Sequence, residues 1–225
     1  QRRELVKRQI MELQLKAIKN QMDPHFTFNV FNTIAALIQQ ENPSIYKPFL
    51  IFTKLIHNTL ESTDKIIMPL SLEIDFLRNY LDLELLRTPN KFDYFIDVSD
   101  EIDVNRKVPK MLLQIYVENA VKHGLRHKSD KGWLKVSVEQ SDQSLKIEVT
   151  DNGIGRAKAK EISTDSTGFG LKIMENYFNL FNEFNNSKIQ HEIIDLFDNE
   201  NHPMGTKVRI LIPLHFSYKF IGHGR

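Results

Sequence analysis

The apolar pattern of this chain changes character near Ser62, and that change divides what each half can fold into. From Arg2 to Met22 there is no glycine or proline, and good helix formers dominate. Two adjacent stripes run along this stretch, Val6, Ile10, Leu13 and Ala17 beside Met11, Leu15, Ile18 and Met22. Their steps of four and three are coiled-coil spacing. Pro24 is expected to bend or break the helix near Met22 and Asp23. The period resumes through Phe26, Val30, Thr33 and Leu37, and Glu41-Asn42-Pro43-Ser44 signals a turn. A second helix then carries Tyr46, Phe49, Leu50, Thr53, Ile56, His57 and Leu60 on one face. A hairpin with so broad an apolar face cannot cover itself. Residues 1–62 are therefore expected to pair with a second copy as a four-helix bundle, giving a homodimer.

Beyond Ser62 strands alternate with helices. The spacing predicts a strand at Ile66–Pro69, a helix from Ser71 to about Leu86, and a strand at Phe92–Val98. A helix follows from Pro109 to about His123. Strands at Trp133–Gln140 and Ser144–Asp151 form a hairpin around Ser141–Gln143. After a glycine-punctuated segment come a helix over Phe169–Phe184 and strands at Lys188–Phe197 and Thr206–Pro213. This order implies a two-layer α/β sandwich over residues 63–216, with residues 217–225 as a tail. The fold class is α+β overall, a helical hairpin followed by that sandwich.

Composition excludes several functions. With 30 basic and 29 acidic residues the formal charge is +1, too even to steer the chain onto nucleic acid or anionic lipid, so no direct nucleic-acid binding is expected. There is no cysteine, which removes disulfides, thiolate zinc sites and cysteine nucleophiles. No apolar run approaches the ~20 residues of a membrane-spanning helix. The first residues do not resemble a signal peptide, and the chain is expected to be a piece of a longer receptor.

Three constellations in the second half carry chemistry. In Glu118-Asn119-Ala120-Val121-Lys122-His123-Gly124, helical spacing puts Glu118 and Asn119 on one face with Lys122. An amide oxygen, a carboxylate and an ammonium there suit Mg2+ and a triphosphate, with Asn119 as the metal ligand. In Asp151-Asn152-Gly153-Ile154-Gly155, a carboxylate at a strand end can accept from an exocyclic amine, while Gly153 and Gly155 let backbone approach a flat ring. Gly168-Phe169-Gly170-Leu171 opens a helix whose N–H groups suit phosphate. Taken singly these are an exposed ion pair, a turn and a short glycine pair. Their order and spacing distinguish them.

That succession resembles the N, G1 and G2 boxes of the GHKL ATPase superfamily, which includes histidine kinases and gyrase-type ATPases. The resemblance implies the GHKL (Bergerat) fold, ATP as the nucleotide, and Thr206 near adenine in Gly205-Thr206. Within the superfamily, Asp23-Pro24-His25-Phe26-Thr27-Phe28-Asn29 resembles the phosphoacceptor motif of LytS-type sensor kinases. Tyr80-Leu81-Asp82-Leu83-Glu84 with Arg87, and Val108-Pro109-Lys110 through Gln114, look like the same family's signature. Thr27 departs from the pattern, which usually has leucine there.

The resemblance implies that His25 takes the γ-phosphoryl group of ATP and passes it to an aspartate of a response regulator, often one with a LytTR-type DNA-binding domain. A neutral imidazole is nucleophilic near pH 7. The position after His25 is Phe26, not the acid that many histidine kinases place there as general base. Glu118 is then the expected base or orienter, with Asp23 behind it. Residues 156–167 are expected to form a polar lid. The implied location is the cytoplasmic side of an inner-membrane sensor, attached to the membrane through a sensor region outside this sequence. Two alternatives stand beside this reading: an ATPase that uses Glu118 to activate water, and a nucleotide-binding dimeric scaffold.

Overall fold

The computed structural model describes residues 34–35, 38–39, 45–46, 48–53, 66–162, 169–183 and 185–218. The described residues fall into two compact units. One holds those up to Ile66 together with Arg78–Leu86; the other holds Ile67–Leu77 and those from Arg87 onward.

In the first unit, residues 34–35, 38–39, 45–46 and 48–53 are helical. Thr53 Oγ1 donates back to the Phe49 carbonyl at 2.9 Å, and the Phe49 and Phe52 rings lie 6.3 Å apart. Leu50 of the expected stripe stands exposed on the single chain. The stripes of residues 6–22, His25, and the second-helix positions Ile56, His57 and Leu60 lie outside the described residues.

The second unit begins with strand β1 (Ile67–Pro69) and helix α1 (Leu70–Arg87), of which Arg78–Leu86 belong to the first unit. Strand β2 (Phe92–Val98) and strand β3 (Lys107–Pro109) follow. Helix α2 (Leu112–Asn119) leads directly into a π-helical turn at Ala120–Leu125. Strands β4 (Gly132–Ser141) and β5 (Ser144–Asp151) precede helices α3 (Arg156–Ile162) and α4 (Phe169–Glu183). Strands β6 (Gln190–Phe197) and β7 (Pro203–Pro213) complete the unit. β1 and β3 form a small antiparallel pair, and the main sheet has the order β2-β4-β5-β7-β6. Only its β2–β4 pairing is parallel. Antiparallel β4 and β5 need just a two-residue turn at Asp142 and Gln143, with Asp142 at φ 49°, as tight hairpins require.

Alternation along the strands decides which face is covered. Val136, Val149 and Val208 are cross-strand partners, as are Val138, Ile147 and Ile210, and all six are buried. Against this face lie the buried side chains of α2 and α4, among them Leu112, Leu113, Val117, Met174, Phe178 and Phe181. This is the expected two-layer sandwich.

Three local expectations change. The helix foreseen from Pro109 starts at Leu112, because Lys107–Pro109 pairs with β1 and Met111 adopts a left-handed conformation at φ 64°. Nor does it stay α-helical to His123, since the π-helical turn takes over at Ala120. In the segment read as a polar lid, Arg156–Ile162 is the short helix α3, and residues 163–168 lie outside the described residues. The segment after β7 is also packed. Ser217 exchanges two 3.0 Å hydrogen bonds with the Asn185 side chain, and the Tyr218 ring meets Phe181 edge-on at 5.3 Å.

Candidate functional site

The site is assembled around Asp151, the last residue of β5. Its place on the sheet is set by alternation. Leu145, Ile147 and Val149 point into the core, so Asp151 points the same way, opposite Thr206 of β7. It is only 4% exposed. Oδ1 accepts the Gly153 N–H at 2.8 Å, and the Thr206 N–H also bonds to the carboxylate. Burial pushes its pKa up to about 6, while those two N–H groups pull it down. At neutral pH the group is therefore an ionised, partly desolvated acceptor.

Glycine is obligatory where the loop after β5 meets the π-helical turn. A Cβ on Gly153 would lie 2.5 Å from the Gly124 Cα, and one on Gly124 would lie 2.9 Å from Asp151 Oδ1. The Ile154 N–H donates to the Gly124 carbonyl at 3.3 Å, fixing the contact. Gly155 follows at φ 77° with its Cα hydrogens against Pro203, and its carbonyl accepts the Ala159 N–H as α3 begins. Backbone is thus brought against backbone beside a buried carboxylate, leaving no side chain between them.

Helix α2 delivers the first constellation. Lys122 Nζ bonds Glu118 Oε2 at 2.7 Å and Gln114 Nε2 bonds Glu118 Oε1 at 2.7 Å. Glu118 and Lys122 thus form a partly exposed ion pair, the simplest of the readings that their spacing allows. Asn119 is half-buried at the end of α2, where the π-helical turn begins. Such turns are frequent at functional sites, and this one brings Gly124 to Asp151 only five residues after Asn119. His123 is also half-buried; burial, then Lys122 and His127, lower its pKa, so its imidazole is neutral at pH 7. Gly170, near the start of α4, rests on Ile115 of α2, where a Cβ would meet Ile115 Cγ2 at 3.3 Å. Leu171 follows it, half-buried.

The structure therefore brings Asp151, Gly153 and Thr206 together, with Gly124 against them. Asn119, Lys122 and His123 lie on the helical run that leads to Gly124, Gly155 packs on Pro203, and Gly170, with Leu171 after it, packs on Ile115. Gly168 and His25 lie outside the described residues. Sequence reasoning gave no part to Glu73, whose buried carboxylate holds the start of α2. It also missed the fork in which Arg156 Nε and Nη2 each bond Asp195 at 2.7 Å. Neither pair is near in sequence, and no local pattern announces them.

The chain resembles known proteins along most of its length. The family described as Histidine kinase matches residues 13–92, and the family described as Histidine kinase-, DNA gyrase B-, and HSP90-like ATPase matches residues 107–215. Sensor protein LytS of Enterococcus faecalis is 30% identical over 158 residues, 70% of this chain and 27% of that protein. Sensor protein LytS of Bacillus anthracis is 30% identical over 219 residues, 93% of this chain and 36% of that protein. The chain thus spans about a third or less of these relatives. Among solved structures, the histidine kinase domain of the Erythrobacter litoralis EL346 blue-light activated histidine kinase matches with a TM-score of 0.51 at 14% identity. That match covers 95% of this chain and all of the other, and it carries the fold alone. With both histidine-kinase families matching along the chain and LytS proteins as its relatives, the chain belongs to the LytS-type sensor histidine kinases with a GHKL-type ATPase domain.

Proposed function

We propose that this chain is the kinase core of a two-component sensor, which phosphorylates itself on His25 with ATP and passes the group to an aspartate of a response regulator. The observation that carries the ATP half is the backbone contact that the π-helical turn after α2 and the loop after β5 make beside buried Asp151, with the start of α4 packed on α2. The acceptor half rests on Pro24-His25-Phe26 within the Histidine kinase match.

Asp151 accepts the exocyclic amine of adenine, and Thr206 lies on its other side. Lys122 and the N–H groups at the start of α4 offset phosphate charge. Among the described residues there is no cluster of three or more His, Asp or Glu side chains that could cage a metal. Mg2+ takes one or two protein oxygens and completes its shell with phosphates and water. Asn119, half-buried at the end of α2, offers such an oxygen. Bound with the nucleotide, Mg2+ would neutralise charge on the phosphates. A neutral nitrogen of His25 attacks the γ-phosphorus. The bond from phosphorus to the β-phosphate oxygen breaks, ADP leaves, and the imidazole gives up its proton. Glu118, already holding Gln114 and Lys122, serves as orienter or base.

In this reading residues 1–62 form the dimerising hairpin, residues 63–216 the catalytic domain, and the partner is a response regulator with a LytTR-type DNA-binding domain. The core sits on the cytoplasmic side of a membrane-held sensor. No helix among the described residues is long and apolar enough to cross a membrane. The deciding variant is His25→Ala. It should bind ATP like the parent yet accumulate no acid-labile phosphate from γ-labelled ATP. Labelling that persists would move the acceptor elsewhere and end the proposal.

A further inference from the structure

Helix α2 has an N-terminus that its own neighbourhood does not cap. Met111, at the capping position, is left-handed and makes no side-chain cap, and the first turn contains no acidic residue. The first N–H groups of a helix need acceptors when buried, and Leu112 and Leu113 are fully buried here. The acceptor comes from a distance of about forty residues. Glu73, in the first turn of α1, takes the Met111 N–H on Oε1 at 2.7 Å and the Leu113 N–H on Oε2 at 3.1 Å. The Gln114 N–H reaches it as well. Glu73 is 4% exposed, and the cation beside it is Lys110.

A buried carboxylate that uses both oxygens on one helix end does more than fill space. It fixes the axial position and the rotation of that helix. Asn119 is six residues beyond Leu113 on the same helix, about 9 Å along its axis. Gln114, whose backbone Glu73 also binds, is the residue that orients Glu118. A shift at the capped end therefore reaches both Glu118 and Asn119.

We propose that Glu73 is a positioning residue for the ATP site, clamping the start of α2 so that Asn119 and Glu118 stand where the metal-bearing end of the nucleotide needs them. The proposal rests on the ATP-site reading given above. It separates the two ends of the ligand: the adenine side hangs on Asp151 and the glycine backbone, and the phosphate side hangs on α2. Loss of Glu73 should then cost affinity at one end and not the other.

The test uses the full chain with His25→Ala as background, so that no phosphoryl transfer intervenes. ATP affinity is measured with excess Mg2+ and with chelator, and adenosine affinity alongside. In the Glu73-intact protein Mg2+ should strengthen ATP binding. Glu73→Gln should shrink that Mg2+-dependent gain by about tenfold, within the roughly hundredfold that a misplacement of about 1 Å can cost. Adenosine binding should be unchanged. Glu73→Asp, which keeps the charge on a shorter arm, should recover part of the gain. Equal losses for adenosine and Mg2+-ATP would make Glu73 a general fold element and overturn the proposal. So would a gain that survives in a folded Glu73→Gln protein. Absence of any ATP binding with Glu73 intact would instead sink the ATP-site reading itself.

Discussion

The two faces of the five-stranded sheet share one backbone and differ in almost everything else. On the covered face, Val136, Val149 and Val208 run into Asp151 and Thr206 two register positions along, so the hydrophobic core ends in a carboxylate. On the open face, charges pair across neighbouring strands: Asp97 with Lys135 at 2.8 Å, Glu139 with Lys146 at 2.7 Å, and Arg209 with both Glu148 and Glu192 at 2.7 Å. The contrast recurs on either side of Thr206. Asp195 is held below the usual carboxylate range by the Arg156 fork, whereas burial raises buried Asp151 to about 6. A carboxylate with an arginine is committed to the fold. One held by backbone N–H groups in a buried setting keeps acceptor capacity for a ligand.

The largest effect expected from this contrast is at Asp151. Asp151→Asn should weaken ATP binding roughly ten- to hundredfold, the range for losing a hydrogen bond to a charged group. Wild-type affinity should also fall as pH drops through about 6, where Asp151 gains its proton, and the asparagine protein should lack that step. Calorimetric titration with ATP from pH 5 to pH 8 checks both. A step that persists in Asp151→Asn would assign the titration to another group.

Next in size is a stability effect at Glu73, whose pKa burial raises from 4.5 to about 7 against the pull of three backbone N–H groups and Lys110. Because the folded chain holds this proton more tightly than the unfolded one, its contribution is full below about pH 4.5 and is lost as pH rises through 7. Relative to Glu73→Gln, the wild type should lose roughly 2 kcal/mol of stability between pH 5.5 and 7.5. Parallel denaturant titrations of the two proteins would show it, and a constant difference across that range would contradict it.

The smallest effect belongs to the open face. Arg209→Ala breaks one part-buried and one exposed ion pair on the open face, where solvent and salt already screen charges. Its ATP affinity should match the parent within error, and its unfolding midpoint should move less than that of either carboxylate variant. A clear loss of ATP affinity would mean that the open face communicates with the site.

How much of this was legible beforehand depended on range. The Phe92–Val98 strand and the end of β5 at Asp151 followed from local alternation, and Glu118 and Lys122 do share a helix face. Asp151, Gly153 and Gly155 could be singled out because their chemistry is concentrated within five residues. The break at Met111 and the π-helical turn at Ala120 were not legible, because a run such as Leu112-Leu113-Gln114-Ile115-Tyr116-Val117 satisfies uninterrupted helical periodicity equally well. What ends the regular helix is tertiary: Glu73 at one end, and Gly153 against Gly124 at the other. Glu73 itself looked like an ordinary acid in the first turn of α1, complementing the helix dipole.

The parallel pairing of β2 with β4 bears on where this chain can be cut and rejoined. The ATPase-family match begins at residue 107, yet the sheet continues through Phe92–Val98, paired residue for residue with Gly132–Val138. A chimaera spliced at residue 107 would strip seven partners from β4 and leave a bare strand edge open to association with other chains. It would discard Glu73 in the same stroke, leaving the Met111 and Leu113 N–H groups with no acceptor. To keep β1, Glu73 and β2, a transplanted module must start no later than Ile67, forty residues upstream of the point at which the ATPase-family match begins.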